Sequence, residues 1–172
     1  MFRGLVSAAA AVAVVVTLGG CGGVEAKSWA KQVCQALTPW RTEIGALTQQ
    51  VGDQMKGATT VQQTRENMLR LLGGAEAASE TARRKVTEAG EPDVANGAQI
   101  ARTFTKALTT ARDAYGKARR VVETLPTAPE KQFYDGVATA VETLGKEYVG
   151  PNLDNLSSTE LKRAFNEVPE CR

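Results

Sequence analysis

The sequence predicts an all-α protein: an antiparallel up-down four-helix bundle that carries a short C-terminal fifth helix and is stapled by a disulfide bond. Four long segments repeat apolar residues at spacings of three and four, which marks one face of a helix. Short turn-forming segments separate them, and no segment alternates apolar and polar residues at period two. Cys34 and Cys171 lie near the two ends of this helical region.

The first helix is predicted over residues 28–55, with Gly57 marking its end. Pro39 interrupts the pattern. A proline inside a helix removes one backbone hydrogen bond, so a kink or break is expected near Thr38. The apolar face comprises Trp29, Val33, Leu37, Trp40, Ile44, Leu47, Val51 and Met55.

The second helix is predicted to begin at Thr60, because Gln63 follows three residues later and completes a capping box. Gly73 and Gly74 weaken its middle, so either the helix bends there or a neighbouring helix packs very close. Gly90 is a suitable C-terminal stop. The apolar face, whose second half is small, comprises Val61, Met68, Leu72, Ala75, Ala82 and Val86.

The third helix shows the clearest pattern. Pro92 suits its first turn, Asp93 complements the N-terminal dipole, and Pro126 ends it. The apolar positions form a heptad seam in which several residues are small enough for partner helices to approach closely. They are Val94, Gly97, Ala101, Phe104, Leu108, Ala111, Tyr115, Ala118, Val122 and Leu125.

The fourth helix is predicted to begin with a capping box of Thr127 and Glu130 and to end before Gly150-Pro151. Its apolar face comprises Phe133, Val137, Val141, Leu144 and Tyr148.

A loop over residues 152–156 leads to a short fifth helix that starts with Ser157 and Glu160 and stops at Pro169. This helix carries Leu161, Ala164, Phe165 and Val168 on one face.

The N-terminal residues have the pattern of an export signal. Arg3 supplies a positive charge, residues 5–18 are uncharged, and residues 18–21 read LGGC. This run resembles the lipobox of bacterial lipoproteins. The resemblance implies that Cys21 receives a diacylglyceryl group and becomes the mature N-terminus. The alternatives are an ordinary secretory signal with an incidental cysteine, or an uncleaved membrane helix, for which the apolar stretch is short.

The lipobox divides the chain into a cleaved signal peptide at residues 1–20, a lipidated N-terminus and short tether at residues 21–27, and a helical bundle domain at residues 28–172. Two buried acyl chains hold a protein stably to a bilayer. The expected location is therefore the extracytoplasmic face of the cell membrane, with the domain close to the lipid surface.

Lipidation of Cys21 would leave Cys34 and Cys171, which outside the cytoplasm most simply form a disulfide. In the up-down topology the fifth helix returns Cys171 to the end of the bundle that holds Cys34. The alternative is a pair of unpaired or redox-active thiols, which no Cys-x-x-Cys motif supports.

Composition argues against several functions. Removing Arg3 with the signal leaves 20 Lys and Arg against 19 Asp and Glu, so nucleic acid is not an expected partner. The chain has no histidine, which removes the usual general base and the commonest metal ligand. We expect no catalytic residue, metal site or cofactor. Glu76 and Glu80 are interpreted as residues of a solvated helix face.

Two tryptophans lie on one face of the first helix. Core packing is the simpler interpretation of Trp40, whereas Trp29 lies close enough to the tether to rest at the membrane interface instead. A cavity between helices near Trp40, Phe104 and Tyr115 would provide a ligand-binding site.

The sequence allows three kinds of function. The favoured one is a non-enzymatic interaction or scaffold module, anchored to the membrane and with a protein partner in the envelope. The alternative is a small-ligand or lipid-binding carrier or sensor with an inter-helical cavity. An enzyme is disfavoured by the missing acid–base residues.

The mature chain also resembles uncharacterised small lipoproteins of high-GC Gram-positive bacteria. The stretches that carry the resemblance are SWAKQVCQALTPWRTEI at residues 28–44, DAYGKAR at 113–119, FYDGVATAV at 133–141 and FNEVPECR at 165–172. It implies no activity and no functional residue beyond the lipid attachment site.

Overall fold

The computed structural model describes residues 23–57, 60–148 and 158–172. Over these residues the chain forms the predicted antiparallel four-helix bundle with a short fifth helix. The α-helices are α1 (Ala26–Gln54), α2 (Val61–Glu88), α3 (Gly97–Thr124), α4 (Glu130–Glu147) and α5 (Thr159–Glu167), followed by a 3-10 turn at Pro169–Cys171.

Each helix packs against the next one in the chain as far as α4, and α2 also touches α4. Helix α5 and the 3-10 turn pack on α1. The buried side chains form two clusters. One lies towards the N-terminal end of α1 and includes Trp29, Leu37, Val86, Phe104, Leu108, Leu161 and Phe165. The other lies towards the opposite end and includes Val51, Val61, Met68, Leu72, Val122, Phe133 and Val137.

Helix α1 begins two residues earlier than predicted because Glu25 caps it. The Glu25 carboxylate accepts hydrogen bonds from the backbone N–H groups of Lys27 and Ser28, at 3.0 and 2.8 Å. These bonds lower the pKa of Glu25, the one from Lys27 most strongly. Pro39 lies within the continuous helix, so the break considered near Thr38 does not occur.

Helix α2 begins as predicted, with the capping box of Thr60 and Gln63 formed in both directions. The helix continues through Gly73 and Gly74. A Cβ atom at Gly74 would lie 2.6 Å from Cδ1 of Leu47, which confirms the close approach of a neighbouring helix. At the other end Gly90 adopts a positive φ of 71°, a conformation that suits glycine after a helix.

The start of helix α3 differs from the prediction. The helix begins at Gly97, after Asn96 in the left-handed conformation, so Pro92 and Asp93 lie in the preceding loop rather than in the first turn. The seam itself is confirmed. Its residues are buried from Gly97 to Val122, and Val94 and Leu125 at its two ends are half-buried.

Helix α4 lacks the predicted capping box. Pro129 is its N-cap residue and no side chain caps the first turn, because Thr127 lies two residues further out. Val141 is also misassigned, since it is 45% exposed while Ala140 is buried. The face of α4 that packs on the bundle runs through positions 133, 137, 140 and 144. Position 140, three residues after Val137, therefore faces the core, whereas position 141 does not.

Helix α5 buries its predicted residues. Ser158 rather than Ser157 caps it by accepting a hydrogen bond from the N–H of Leu161. Leu161, Ala164, Phe165 and Val168 all lie in the core. Ser157, the predicted loop at 152–156, Gly150-Pro151, the signal peptide and Cys21 lie outside the described residues.

Candidate functional site

The first described residues pair with the loop between α2 and α3. The N–H of Val24 donates to the carbonyl of Glu91, and the N–H of Asp93 donates to the carbonyl of Val24, each at 2.7 Å. A Cβ atom at Gly23 would lie 2.8 Å from the Glu91 carbonyl oxygen, so this close approach needs a glycine. The fold therefore includes Gly23 and Val24, which lie inside the segment predicted to be a tether.

Trp29 strengthens this junction from inside the core. Its side chain is fully buried, and its indole Nε1–H donates to the carbonyl of Gly90 at 2.8 Å. Its ring makes edge contacts with Phe104 and Phe165, with centroids 5.6 and 6.0 Å away. The alternative that placed Trp29 at a membrane interface is therefore wrong.

The predicted disulfide is present in the structure. Cys34 and Cys171 are bonded, with their Cα atoms 5.0 Å apart. The Thr38 hydroxyl donates to the carbonyl of Glu170 at 3.0 Å, and Lys31 forms an ion pair with the Glu170 carboxylate at 3.2 Å. The C-terminal turn is thus fixed to α1 by three separate interactions.

The N-terminal end of the bundle comprises Gly23–Val24, the first turns of α1, the loop at 90–96 and the C-terminal part of α5. Lys27 and Glu167 form an exposed ion pair across it at 3.5 Å. Both ends of the described chain are held here. The cysteine pair was predictable from the sequence, whereas the pairing of Val24 with the loop was not. Its one available signal was Gly23, the small residue beside Val24.

The three residues of the hypothetical ligand site are all buried. Trp40 and Phe104 belong to the first core cluster, and Tyr115 belongs to the second. The indole N–H of Trp40 donates to the Ser79 hydroxyl at 3.0 Å, and that hydroxyl donates to the Ala75 carbonyl. The core interpretation of Trp40 is confirmed.

Tyr115 contacts Tyr148, with ring centroids 5.8 Å apart. Burial, with a smaller contribution from Tyr148, raises the pKa of Tyr115 to about 12, so its phenol stays protonated. Trp40 lies on the edge of a groove of about 360 Å³ between α1 and α2, but Phe104 and Tyr115 do not line it. The three aromatic side chains are therefore not brought together around this groove.

Glu76 and Glu80 form ion pairs between α2 and α3. Arg119 contacts Glu76 at 2.8 Å, and Arg112 contacts Glu80 at 2.9 Å. Hydrogen bonds from Arg83 and then Arg112 lower the pKa of Glu80 to about 2. The two carboxylates are about one-third exposed or less, so the prediction of a merely solvated face is corrected to an interhelical network.

Two further grooves lie on the surface of the bundle. One, between α3 and α4, has a volume of about 210 Å³ and includes the exposed Val121. The larger, of about 670 Å³, lies between the C-terminal half of α2 and the N-terminal half of α3. Its lining includes Gly90 and Glu91, so it opens at the N-terminal end of the bundle.

None of the helices among the described residues is long and apolar enough to span a bilayer. Within the same ranges, no three Cys, Asp or Glu side chains converge in an arrangement that would hold a metal ion. No known protein family, no curated protein and no solved structure matches the chain.

Proposed function

We propose that the chain is an extracytoplasmic lipoprotein, anchored to the cell membrane through Cys21, that acts as a non-enzymatic interaction or scaffold module. The observation that carries the anchoring part is the LGGC run at residues 18–21, which follows an uncharged stretch. The absence of histidine from the whole sequence supports a role without acid–base chemistry.

The pairing of Val24 supports a short, oriented attachment. Three peptide steps separate Cys21 from Val24, and an extended chain covers at most about 10 Å in three steps. Because Val24 is bonded to Glu91 and Asp93, a lipid on Cys21 would hold the N-terminal end of the bundle against the bilayer. The opposite end, with the α1–α2 and α3–α4 connections, would then face outward.

Rigidity supports the interaction part of the proposal. The disulfide and the ion pair of Lys31 with Glu170 fix the C-terminus to α1. The backbone bonds of Val24 fix the first described residues to the α2–α3 loop. Because both ends of the described chain are fixed at the N-terminal end of the bundle, the outward surface keeps a constant orientation, which lowers the entropic cost of binding a partner.

Replacing Cys21 by serine tests the anchor. In cells fed an alkyne-bearing fatty acid, we expect the unchanged protein to be labelled and to partition into detergent. The Cys21→Ser variant should lose all label, and should appear either in the medium or as an uncleaved precursor. The measurement is the label on the purified chain together with the mass of its N-terminus.

The control for the anchor is the double variant Cys34→Ser/Cys171→Ser, which removes the other two cysteines and should keep the full label per molecule. Label that persists in Cys21→Ser would contradict lipidation at this site.

A scan with a photo-cross-linking amino acid tests the interaction part. The exposed positions Thr48, Arg84, Val121 and Val141 sample the four long helices. In intact cells, at least one position should give a discrete adduct with an envelope protein, and the adduct should disappear in the Cys21→Ser background. If the protein cross-links to nothing at any of the four positions, the scaffold proposal is wrong.

A further inference from the structure

The groove between α2 and α3 combines an apolar floor with two cations. Val86 and Ala101 are buried in its floor. Arg102 and Lys106 line one side, four residues apart and so on the same face of α3. Its volume of about 670 Å³ lies within the range of small-molecule sites in proteins.

The two cations are available to a ligand. Among the described residues no carboxylate lies within ion-pair distance of Arg102 or Lys106, and Arg102 bonds only the amide oxygen of Gln99, at 3.3 Å. Further along the same helix, Arg112 and Arg119 are each paired with carboxylates of α2. Of the described residues that line the groove, Glu91 is the one with a carboxylate.

The threonines of the groove add little polarity. The hydroxyls of Thr87, Thr105 and Thr109 each donate to the backbone carbonyl four residues earlier in their own helix. Their donor hydrogens are therefore already used, and the lining offers hydrocarbon contacts along most of its length. Among the described residues of the lining, the remaining side-chain donors are the guanidinium of Arg102 and the ammonium of Lys106.

We infer that the α2–α3 groove binds a single-chain anionic amphiphile, such as a long-chain carboxylate, with its head on Arg102 and Lys106 and its chain along the hydrocarbon parts of the groove lining. Charge complementarity selects an anionic head, because charge-assisted hydrogen bonds are the strong ones available there. The apolar floor selects a hydrocarbon chain over a bare anion, since burial of each CH₂ group is favourable.

The groove also lies where such molecules concentrate. A Cβ atom at Gly90, which lines the groove, would lie 3.6 Å from the Val24 side chain. If the proposed anchor holds, the opening of the groove is therefore close to the bilayer surface, into which amphiphiles partition. The binding itself does not depend on the anchor, because every residue that it uses belongs to the folded bundle.

Photoaffinity labelling of the full chain tests the inference. The protein is reconstituted in nanodiscs of neutral lipid and exposed to a long-chain carboxylate that carries a diazirine near the end of its chain. The attachment sites are mapped by mass spectrometry. We expect the label on peptides that contain residues 86–91 and 101–109, and competition by unlabelled palmitate but not by hexadecanol or inorganic phosphate.

Two variants test separately the contacts of the anionic head and those of the hydrocarbon chain of the ligand. Arg102→Gln/Lys106→Gln removes both cations and should reduce groove labelling by about tenfold. Thr105→Phe fills the groove and should reduce labelling to a similar extent while both cations remain. The matched control Arg120→Gln/Lys162→Gln removes two exposed cations that do not line the groove, and should label as the unchanged protein does.

Several outcomes would overturn the inference. Label spread evenly over all helices would indicate random encounter from the bilayer. Equal labelling of the Arg102→Gln/Lys106→Gln variant and its control would show that the two cations take no part in binding. Competition by phosphate alone would show that the groove binds simple anions and not amphiphiles. Since labelling is mapped on the chain itself, a Cys21 found without lipid would leave the result unchanged.

Discussion

Replacing Cys34 and Cys171 together by serine is expected to lower the unfolding temperature by about 10–20 °C. The bond joins residues 137 positions apart, so it restrains almost the entire unfolded domain. Chain-entropy reasoning assigns about 5 kcal/mol to a loop of this length, and for a domain of this size each kcal/mol moves the midpoint by about 2–4 °C. Thermal unfolding followed by circular dichroism measures the shift.

The folded structure should survive this double substitution. Helix α5 keeps its buried Leu161 and Phe165, and the 3-10 turn keeps the hydrogen bond from Thr38 to the Glu170 carbonyl. The helical signal at low temperature should therefore match that of the unchanged protein.

A reductant provides the matching control for the disulfide. Dithiothreitol should lower the midpoint of the unchanged protein to that of Cys34→Ser/Cys171→Ser and should leave the variant where it is. Coincident melting curves for the oxidised protein and the double variant would show that the disulfide adds no stability.

The helices were predictable because their signal is periodic and local. The seam of α3 repeats over many turns, and its residues from Gly97 to Val122 are buried as expected. The capping box at Thr60 was equally readable, since both of its partners lie within four residues. The cysteine pair was predictable because lipidation of Cys21 would leave two thiols outside the cytoplasm, and the up-down topology agrees with it by bringing the two ends of the domain together.

The errors in the prediction occur where short-range patterns compete. Thr127 and Glu130 have capping-box spacing, yet Pro129 takes the N-cap position, so the threonine lies too far out. Val141 and Ala140 both fit a helical spacing after Val137, and side-chain size favours the valine, although the alanine faces the core. Glu25 was overlooked because glutamate is an uncommon N-cap residue.

The junction at the N-terminal end could not be predicted from one sequence. It joins Val24 to Glu91 and Asp93 through backbone groups, which every residue has and which leave no trace in side-chain chemistry. The α2–α3 groove is similar, because Arg102 and Lys106 line a groove only once α2 supplies the rest of its lining. Both features depend on how helices are placed, not on the pattern within one helix.

Among single substitutions, removal of the Trp29 side chain is expected to lower the free energy of unfolding most. Trp29→Ala removes a fully buried indole and its edge contacts with Phe104 and Phe165. Substitutions of this kind cost about 3–5 kcal/mol through lost burial and the cavity that remains. Urea unfolding followed by circular dichroism should show the midpoint falling with little change in the slope.

Trp29→Phe separates packing from hydrogen bonding. It keeps an aromatic ring in the core but leaves the Gly90 carbonyl without the indole donor, at a cost of about 1–3 kcal/mol. Trp40→Phe is the matched control, because the Ser79 hydroxyl keeps its own bond to the Ala75 carbonyl when the indole is lost. We therefore expect Trp29→Phe to be the more destabilising of the two.

Hydrogen exchange locates the effect of Trp29→Phe. The Trp29 bond holds Gly90, and the next residues of the loop hold Val24, so loss of the indole donor should loosen the junction before it loosens the bundle. The amides of Val24 and Asp93 should exchange faster, while those in the middle of α4 stay as protected as before. Unchanged exchange at Val24 and Asp93 would mean that the two backbone bonds hold the N-terminus without help from the core.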